Sequence, residues 1–231
     1  MQAVILAGGL GTRLGELTRT IPKPMVPVAG RPYLEHQLRE LARQQLNDVV
    51  LLTGYLGEQI EEYFGTGDRW GLSVRYSREA TPQGTGGALR DAAHLLAETF
   101  VLIYGDSYLP IEYAPVLRRL EDSQALAVAV VYDNREETTV RNNVAVGDDG
   151  VVSRYAKDAA GDDLRCVEAG VLALRRSVIA QLPPDGPASL EKDLYPQLVA
   201  RRQLLAYITG QRFYDIGTPE RLAMIEQVLR G

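Results

Sequence analysis

The feature that most restricts the fold of this chain is the alternation of short apolar runs with amphipathic segments through residues 1–132. Apolar runs of about six residues predict buried strands, and segments with apolar residues three and four apart predict helices. Alternating strands and helices build right-handed βα units, which favour an α/β fold: a mostly parallel sheet with helices on both faces. The predicted strands are 2–7, 48–53, 72–77, 99–104 and 125–132, and the predicted helices are 32–45, 57–64, 84–96 and 111–121.

The pattern changes after about residue 125, where strands follow one another with only turns between them. Asp149-Gly150 between two apolar runs in 144–152 predicts a hairpin. We therefore expect a smaller, partly antiparallel part over 125–200, before the chain returns with a strand at 204–208 and a last helix at 219–230. A chain of 231 residues with 45% apolar content can bury one sizeable core. The sequence predicts a single domain, 1–231.

A glycine-rich loop follows the first predicted strand, with the sequence Gly8-Gly9-Leu10-Gly11-Thr12-Arg13. Glycines let backbone N–H groups approach phosphate oxygens, and Arg13 offers a planar fork of donors. Lys23 lies between two prolines on a stiffened backbone, so that its side chain is directed rather than free. These features favour a polyphosphate ligand. A plain turn with solvated Arg13 and Lys23 is the alternative.

Two familiar phosphate-binding motifs do not match this loop. A Walker loop needs a lysine and a hydroxyl residue directly after its last glycine, and a dinucleotide fingerprint needs a third glycine and a later acid. Leu14 occupies the place of that third glycine, and the strand at 49–53 ends without an acid. Both motifs therefore fit this loop badly.

The segment Val4–Leu14, followed by Pro22–Val28, resembles the signature of the sugar-1-phosphate nucleotidylyltransferases. The resemblance extends along the whole chain and implies a nucleotide-diphospho-sugar transferase fold, a Rossmann-like, mostly parallel mixed sheet. It also implies a reaction, in which a nucleoside triphosphate and a sugar 1-phosphate give an NDP-sugar and pyrophosphate with Mg²⁺. Residues 1–124 would then bind mainly the nucleotide, 125–200 mainly the sugar, and 201–231 would supply the returning strand and last helix. The implied nucleotide-binding residues are Ala7, Gly8, Gly9, Gly11, Thr12, Arg13, Glu79, Gly84 and Thr85.

In this family the loop corresponding to 79–89 frames the nucleobase, and the resemblance assigns the base edge to Glu79. A carboxylate has two acceptors and no donor, which suits the adjacent N1–H and N2–H of guanine and therefore predicts GTP. Two structural alternatives stay open from the residues alone. Thr85 can cap the helix that follows, and Glu79 can pair with Arg75 or Arg78 on the surface.

Asp106 ends a strongly apolar strand and is either a turn residue or a ligand for a hard cation. The resemblance implies that Asp106 and Asp215 share one Mg²⁺ and that they act with Arg13 and Lys23 as the catalytic residues. Tyr104 and Ser107 depart from the family pattern around Asp106. No histidine is needed, because a sugar phosphate is already a dianion near neutral pH, and both His36 and His94 are predicted to be structural.

The sugar side is assigned by the same resemblance to six residues, and Glu168 and Glu191 carry most of the expected recognition. A carboxylate can accept hydrogen bonds from two neighbouring hydroxyls, although either acid could instead be a solvated charge. Lys157 lacks the proline that follows the family's sugar-phosphate lysine. The predicted sugar-binding residues are Asn143, Lys157, Glu168, Gly170, Glu191 and Gly217.

The net charge of −5 and the pI near 5.2 argue against nucleic acid or an anionic membrane as the main partner. The sequence has no run of eighteen apolar residues, and its single cysteine, Cys166, excludes an internal disulfide. A cytoplasmic enzyme is expected, and a homo-oligomer stays open. Within the family the chain resembles most the manno-heptose 1-phosphate guanylyltransferases, whose products supply cell-surface polysaccharides. Uridylyl, thymidylyl or cytidylyl transfer to a hexose or N-acetyl sugar phosphate, and a catalytically silent nucleotide-sugar sensor, are the alternatives.

Overall fold

The computed structural model describes residues 1–136, 138, 140–157 and 161–230. The strands are β1 Gln2–Leu6, β2 Pro27–Val28, β3 Arg31–Pro32, β4 Asp48–Thr53, β5 Ser73–Arg78, β6 Thr99–Tyr104, β7 Ser107–Tyr108, β8 Ala127–Tyr132, β9 Val144–Val146, β10 Val152–Tyr155, β11 Val167–Arg175, β12 Leu204–Thr209 and β13 Tyr214–Asp215. The α-helices are α1 Tyr33–Arg43, α2 Gly57–Phe64, α3 Gly84–Asp91, α4 Ala114–Glu121, α5 Tyr195–Ala200 and α6 Pro219–Arg230. Short 3-10 helices cover Thr12–Thr18, Lys23–Met25, Asp68–Trp70, Ala93–Leu95 and Arg176–Gln181, and Leu190–Leu194 forms a π-helical turn.

The described residues form one large sheet of seven strands in the order β12-β8-β11-β6-β1-β4-β5. β1 lies between β4 and β6 and is parallel to both, and β5 and β12 are parallel to their neighbours β4 and β8. β11 is antiparallel to both β6 and β8. The predicted α/β fold with a mostly parallel mixed sheet is confirmed.

Each face of the sheet carries its own hydrophobic core because successive strand residues point to opposite sides. In β1, Ala3 and Ile5 pack with the cluster that contains α1, α2 and α4, whereas Val4 packs with the cluster that contains α3 and α5. All three side chains are fully buried. The continuous apolar runs of the sequence are therefore the strands that helices cover on both faces.

Three predicted helices are shorter in the structure, and the predicted helix 32–45 loses one residue at its start and two at its end as α1. The predicted helix 111–121 begins only at Ala114, because Pro115, which has no N–H, is accommodated in the first turn. The predicted helix 84–96 ends at Asp91 and continues as the 3-10 turn Ala93–Leu95. The predicted hairpin is confirmed, since β9 and β10 pair antiparallel around Gly150, whose φ is 76°.

All three predicted parts of the chain contribute strands to the large sheet: 1–124 gives β1, β4, β5 and β6, 125–200 gives β8 and β11, and 201–231 gives β12. The assignment of these parts to nucleotide and sugar stays a prediction. Across the described residues, no helix combines the length and the hydropathy needed to cross a membrane.

Candidate active site

A cavity of about 460 Å³ opens at the carboxyl ends of β1, β4 and β6, where ligands bind in sheets of this kind. Thirteen of the residues predicted from the sequence line it: Gly8, Gly9, Gly11, Thr12, Arg13, Lys23, Glu79, Gly84, Thr85, Asp106, Lys157, Glu191 and Gly217. Among the described residues, the other predicted site residues lie behind or beside this lining; they are Ala7, Asn143, Glu168, Gly170 and Asp215.

The glycine-rich loop after β1 is shaped by close contacts that exclude side chains. Gly11 has a φ of 66°, and a Cβ there would lie 2.9 Å from Lys23 Cβ and from Thr18 Cγ2. The Thr18 hydroxyl donates to the Gly11 carbonyl at 3.0 Å and fixes the loop. Ala7 is buried and its N–H donates to the Leu52 carbonyl, so that this residue supports the loop rather than facing the cavity.

Lys23 and Asp106 form an ion pair at the cavity wall, with 2.5 Å between Lys23 Nζ and Asp106 Oδ2. The Lys23 side chain is 10% exposed and that of Asp106 is 33% exposed. Gly105 allows this arrangement, because a Cβ at that position would collide with the Leu6 carbonyl oxygen. The pair therefore joins the first loop to the end of β6.

A short two-stranded ribbon brings Asp215 next to Asp106. β7 pairs antiparallel with β13 so that Ser107 lies opposite Asp215, and the Ile216 N–H donates to the Asp106 carbonyl at 3.0 Å. The two predicted metal ligands are 109 positions apart in sequence, and this ribbon places them side by side. Arg13 also reaches this region, because its Nη2 lies 3.1 Å from where a Cβ of Gly217 would stand.

Asp215 is held by Arg221, a residue that the sequence analysis did not single out. Arg221 Nη1 lies 2.9 Å from Asp215 Oδ2 and 3.1 Å from Oδ1, and the Gly217 N–H donates to Oδ1 at 2.7 Å. The side chains of Asp215 and Arg221 are 15% and 22% exposed. The signal available in the sequence is an arginine in the first turn of the predicted last helix, six positions after the aspartate.

The donor chemistry around Asp106 and Asp215 fits Mg²⁺, which prefers hard oxygen ligands and commonly takes one or two carboxylates together with water and phosphate oxygens. Within the described ranges, no group of three or more His, Cys, Asp or Glu residues is placed to hold a metal. Next to these carboxylates, burial and then the charges of Asp106 and Asp215 raise the pKa of Tyr33. The buried Tyr33 hydroxyl has no hydrogen-bond partner in the described part of the chain. Phosphate oxygens from a substrate would have to complete any such site.

Glu79 lies in the cavity wall with its carboxylate fixed by the backbone. Its Oε2 accepts from the Gln83 N–H at 2.8 Å, and its Oε1 lies 3.1 Å from where a Cβ of Gly8 would stand. Burial raises the pKa of Glu79. Arg75 pairs with Asp48, and Arg78 pairs with Glu58 and Glu61. The alternative in which Glu79 pairs with either arginine is therefore not the arrangement observed.

Thr85 connects the loop before α3 to the segment around Leu190. Its hydroxyl oxygen accepts from the Leu190 N–H at 2.9 Å, instead of capping α3. The N–H groups of Gly86 and Gly87 donate to the Ala188 carbonyl at 2.8 and 3.2 Å. Gly84 has a φ of 71°, and a Cβ there would lie 2.5 Å from that same oxygen. Thr85 therefore does not cap α3 and instead links two walls of the cavity.

The opposite wall is built from charged side chains that contact one another. Lys157 Nζ lies 3.2 Å from Glu191 Oε1, and the Ser189 hydroxyl donates to Glu191 Oε2 at 2.9 Å. Glu168 Oε1 accepts from the Gly170 N–H at 2.7 Å. Burial, together with the nearby charges of Glu191 and Asp106, raises the pKa of Glu168 to about 8.

Asn143 and Gly170 lie behind this wall and hold its strands in place. Asn143 is buried, and its side-chain oxygen accepts from the Glu168 N–H at 2.9 Å. Gly170 has a φ of 76° and packs so closely on Ser107 that a Cβ would lie 2.5 Å from the Ser107 hydroxyl oxygen. The predicted sugar contacts of both residues stay predictions.

Tyr104 lines the cavity directly before Gly105, and its hydroxyl lies 3.4 Å from that of Tyr195. The sequence marks this position only as a departure from the family pattern. Of the histidines, His36 has Nε2 at 2.8 Å from the Val28 carbonyl oxygen, and His94 lies in the turn Ala93–Leu95.

Known proteins share this architecture along the whole chain. A family model described as Nucleotidyl transferase matches residues 2–230. The chain belongs to this family. Its predicted resemblance to the sugar-1-phosphate nucleotidylyltransferases is confirmed, and with it the prediction that the chain is an enzyme of that class.

Two relatives of this nucleotidyl transferase are each 33% identical to it. One is a D-glycero-alpha-D-manno-heptose 1-phosphate guanylyltransferase from Campylobacter jejuni, aligned over 223 residues that are 95% of this chain and 96% of the relative. The other is a mannose-1-phosphate guanylyltransferase from Mycobacterium tuberculosis, aligned over 228 residues. That alignment covers 95% of this chain and 62% of the relative, so the chain spans less than two thirds of that protein.

Solved structures agree with the fold of this nucleotidyl transferase. HddC from Yersinia pseudotuberculosis, complexed with GMP-PN, is 26% identical and superposes with a TM-score of 0.81 over 99% of both chains. A putative glucose-1-phosphate thymidylyltransferase from Bacillus anthracis is 20% identical with a TM-score of 0.86 over 100% of this chain and 95% of its own, and supports the fold alone. The nucleotide-diphospho-sugar transferase fold is confirmed.

Proposed function

We propose that this nucleotidyl transferase moves a guanylyl group from GTP to a manno-configured sugar 1-phosphate, with manno-heptose 1-phosphate as its preferred acceptor, and releases pyrophosphate in a Mg²⁺-dependent reaction. The observation that carries the choice of base is the Glu79 carboxylate, which faces the cavity and is oriented by the Gln83 N–H. Guanine offers two adjacent N–H donors to such a carboxylate. Uracil and thymine would place a carbonyl oxygen against it, because their single N–H is flanked by carbonyls.

Similarity supports the same choice. Both relatives described above are named guanylyltransferases, and one of them is a manno-heptose 1-phosphate enzyme. On that similarity, heptose 1-phosphate is the first acceptor we propose, and mannose 1-phosphate is the second. The single cysteine and the nucleotide substrate fit a reaction in the cytoplasm.

The proposed chemistry needs positioning and charge neutralisation rather than a general base. The sugar phosphate, whose second pKa is about 6, attacks the α-phosphorus as a dianion, a new P–O bond forms, and the bond to the β-phosphate oxygen breaks as pyrophosphate leaves. Arg13 binds the β- and γ-phosphates from the glycine-rich loop, and Lys23 binds the α-phosphate. Asp106 and Asp215 would hold Mg²⁺, which when bound neutralises phosphate charge.

Pyrophosphate release with Mg²⁺ tests this proposal, measured over a grid of GTP, ATP, UTP, dTTP and CTP against heptose, mannose, glucose and N-acetyl sugar 1-phosphates. Release with GTP and a manno-configured acceptor is the expected result. Release with UTP, dTTP or CTP instead of GTP would overturn the assignment of guanine as the base, but it would still support nucleotidyl transfer as the reaction. Tight nucleotide-sugar binding without any release would favour the sensor alternative.

A further inference from the structure

Each of the two carboxylates proposed to bind the divalent cation already forms an ion pair with a side chain of the protein, Asp106 with Lys23 and Asp215 with Arg221. We infer that Arg221 is a positioning residue that competes with the divalent cation for Asp215, so that the Asp106–Asp215 pair takes its cation together with the triphosphate rather than before it. This inference rests on the proposed function, because it concerns the site assigned there to Mg²⁺.

The two carboxylates differ in how fully they are occupied. Lys23 engages one oxygen of Asp106, and the other is 3.3 Å from the Ser107 hydroxyl in a side chain that is one third exposed. Arg221 Nη1 contacts both oxygens of Asp215, and Oδ1 also accepts from the Gly217 N–H. Asp106 can therefore bind a cation as it stands, whereas Asp215 first has to be released by Arg221.

The position of Arg221 is fixed by the packing of α6. Ile225 is fully buried in a cluster with Val28, Tyr33 and Ile216. Residues four apart lie on one face of a helix, so this anchor directs Arg221 toward the same side, where Asp215 follows Tyr214 in β13. The packing of α6 therefore holds the Arg221 guanidinium at Asp215, unlike an arginine on an unanchored surface segment.

The charges around the pair balance without any ligand. Asp106 and Asp215 contribute two negative charges, and Lys23 and Arg221 contribute two positive ones through direct ion pairs. Arg13 adds a further positive charge near Gly217. These five side chains together present no net negative charge to a free divalent cation, and the three cations among them oppose its binding. The phosphates of a bound triphosphate reverse this balance.

Mn²⁺ is the probe for the test, because the electron paramagnetic resonance signal of the free ion reports its binding without any substrate or turnover. The intact protein is titrated as wild type, Arg221→Gln and Arg221→Lys, first alone and then with inorganic tripolyphosphate. Arg230→Gln is the matched control, since Arg230 lies on α6 and pairs with Glu226 on the surface. Asp106→Asn and Asp215→Asn define binding at this site.

The expected result is that Arg221→Gln binds Mn²⁺ about fivefold to tenfold more tightly than wild type when tripolyphosphate is absent, because one unit of nearby positive charge is removed. Arg221→Lys and Arg230→Gln are expected to stay within about twofold of wild type. Tripolyphosphate should tighten Mn²⁺ binding to the wild type more than to Arg221→Gln.

Equal Mn²⁺ affinity of wild type and Arg221→Gln would overturn the inference, as would wild-type binding that is equally tight with and without tripolyphosphate. Circular dichroism verifies folding, and Arg221→Met replaces the glutamine variant if that one unfolds. The probe contains neither base nor sugar. A failure of the GTP or heptose assignment in the pyrophosphate assay therefore leaves this measurement unaffected.

Discussion

The two sides of the cavity are built by different physical means. The proposed nucleotide side has backbone at Gly8, Gly11 and Gly84, where a Cβ would meet neighbouring atoms at 2.5–3.1 Å. It also carries the fixed carboxylate of Glu79 and the cations Arg13 and Lys23. The proposed sugar side consists mainly of ionisable side chains that contact one another, as in the pair of Lys157 and Glu191. The first side therefore depends on missing side chains as well as on charge, whereas the second is built mainly from charged side chains.

This difference explains why the residues themselves point to a ligand on the proposed nucleotide side, whereas the proposed sugar side is assigned only by resemblance to the family. A wall of backbone requires glycine at fixed spacing, and such spacing is a recognisable motif. A wall of side chains from 157, 168 and 191 carries its information in long-range contacts, which no local pattern specifies. Substitutions on the two sides should therefore change different kinetic parameters.

The largest effect is expected for Lys23→Ala, on the nucleotide side. Removing a charge-assisted contact to the α-phosphate should lower kcat/KM for pyrophosphate release by about 10²- to 10³-fold. The matched change on the sugar side, Lys157→Ala, should mainly raise the KM for the sugar 1-phosphate, by about tenfold, since that side chain is 60% exposed and already paired with Glu191. Similar losses in kcat for both variants would contradict the proposed division.

A smaller change in preference is expected for Glu79→Gln. The amide keeps the shape of the side chain and turns one of its two acceptors into a donor. The ratio of kcat/KM for GTP to that for UTP should fall by about 10- to 100-fold, as expected when a paired set of hydrogen bonds to a base is lost. Glu58→Gln serves as the control, because Glu58 is 63% exposed and pairs with Arg78. An unchanged ratio in Glu79→Gln would refute the role of Glu79 in base selection.

The sequence was sufficient for the sheet and for most of the first loop because apolar period and glycine spacing are local properties. β1, β4, β5, β6 and β8 lie within one or two residues of their predicted bounds. The sequence offers only a weak signal for the ion pair between Arg221 and Asp215, an arginine six positions after the aspartate, because that spacing does not specify that the first turn of α6 folds back onto β13. Likewise, Thr85 carries the sequence signature of a helix cap, and only the fold shows that Leu190 competes for its hydroxyl.

The sugar side also predicts a pH dependence of stability. Burial raises the pKa of Glu168 from 4.5 to about 8, so the folded protein retains a proton that the unfolded chain releases between these values. The free energy of unfolding should therefore fall as the pH rises through this window and be lowest above about 8. Glu168 is only half-buried in the structure, so solvent screens part of this effect, and we expect a loss on the order of 1–2 kcal/mol.

Glu168→Gln removes this titration while it keeps an acceptor for the Gly170 N–H. Its free energy of unfolding, measured in urea on either side of the window, should change less with pH than that of the wild type. Glu98→Gln is a suitable control, since Glu98 is 71% exposed and pairs with Arg176. Parallel pH profiles for wild type and Glu168→Gln would show that Glu168 does not hold a proton in the folded protein.

The smallest effect should come from the contact that joins the two sides, the hydrogen bond from the Leu190 N–H to Thr85. Thr85→Val keeps the volume and removes the acceptor, at an expected cost of about 1 kcal/mol in the free energy of unfolding, and Thr85→Ser keeps the acceptor. Because Thr85 lines the nucleotide side and Leu190 precedes Glu191, the valine variant should raise the KM values for both substrates by a similar, severalfold factor. A rise confined to one substrate would mean that the two sides bind independently, and the comparison between them would then describe two separate sites rather than one coupled cavity.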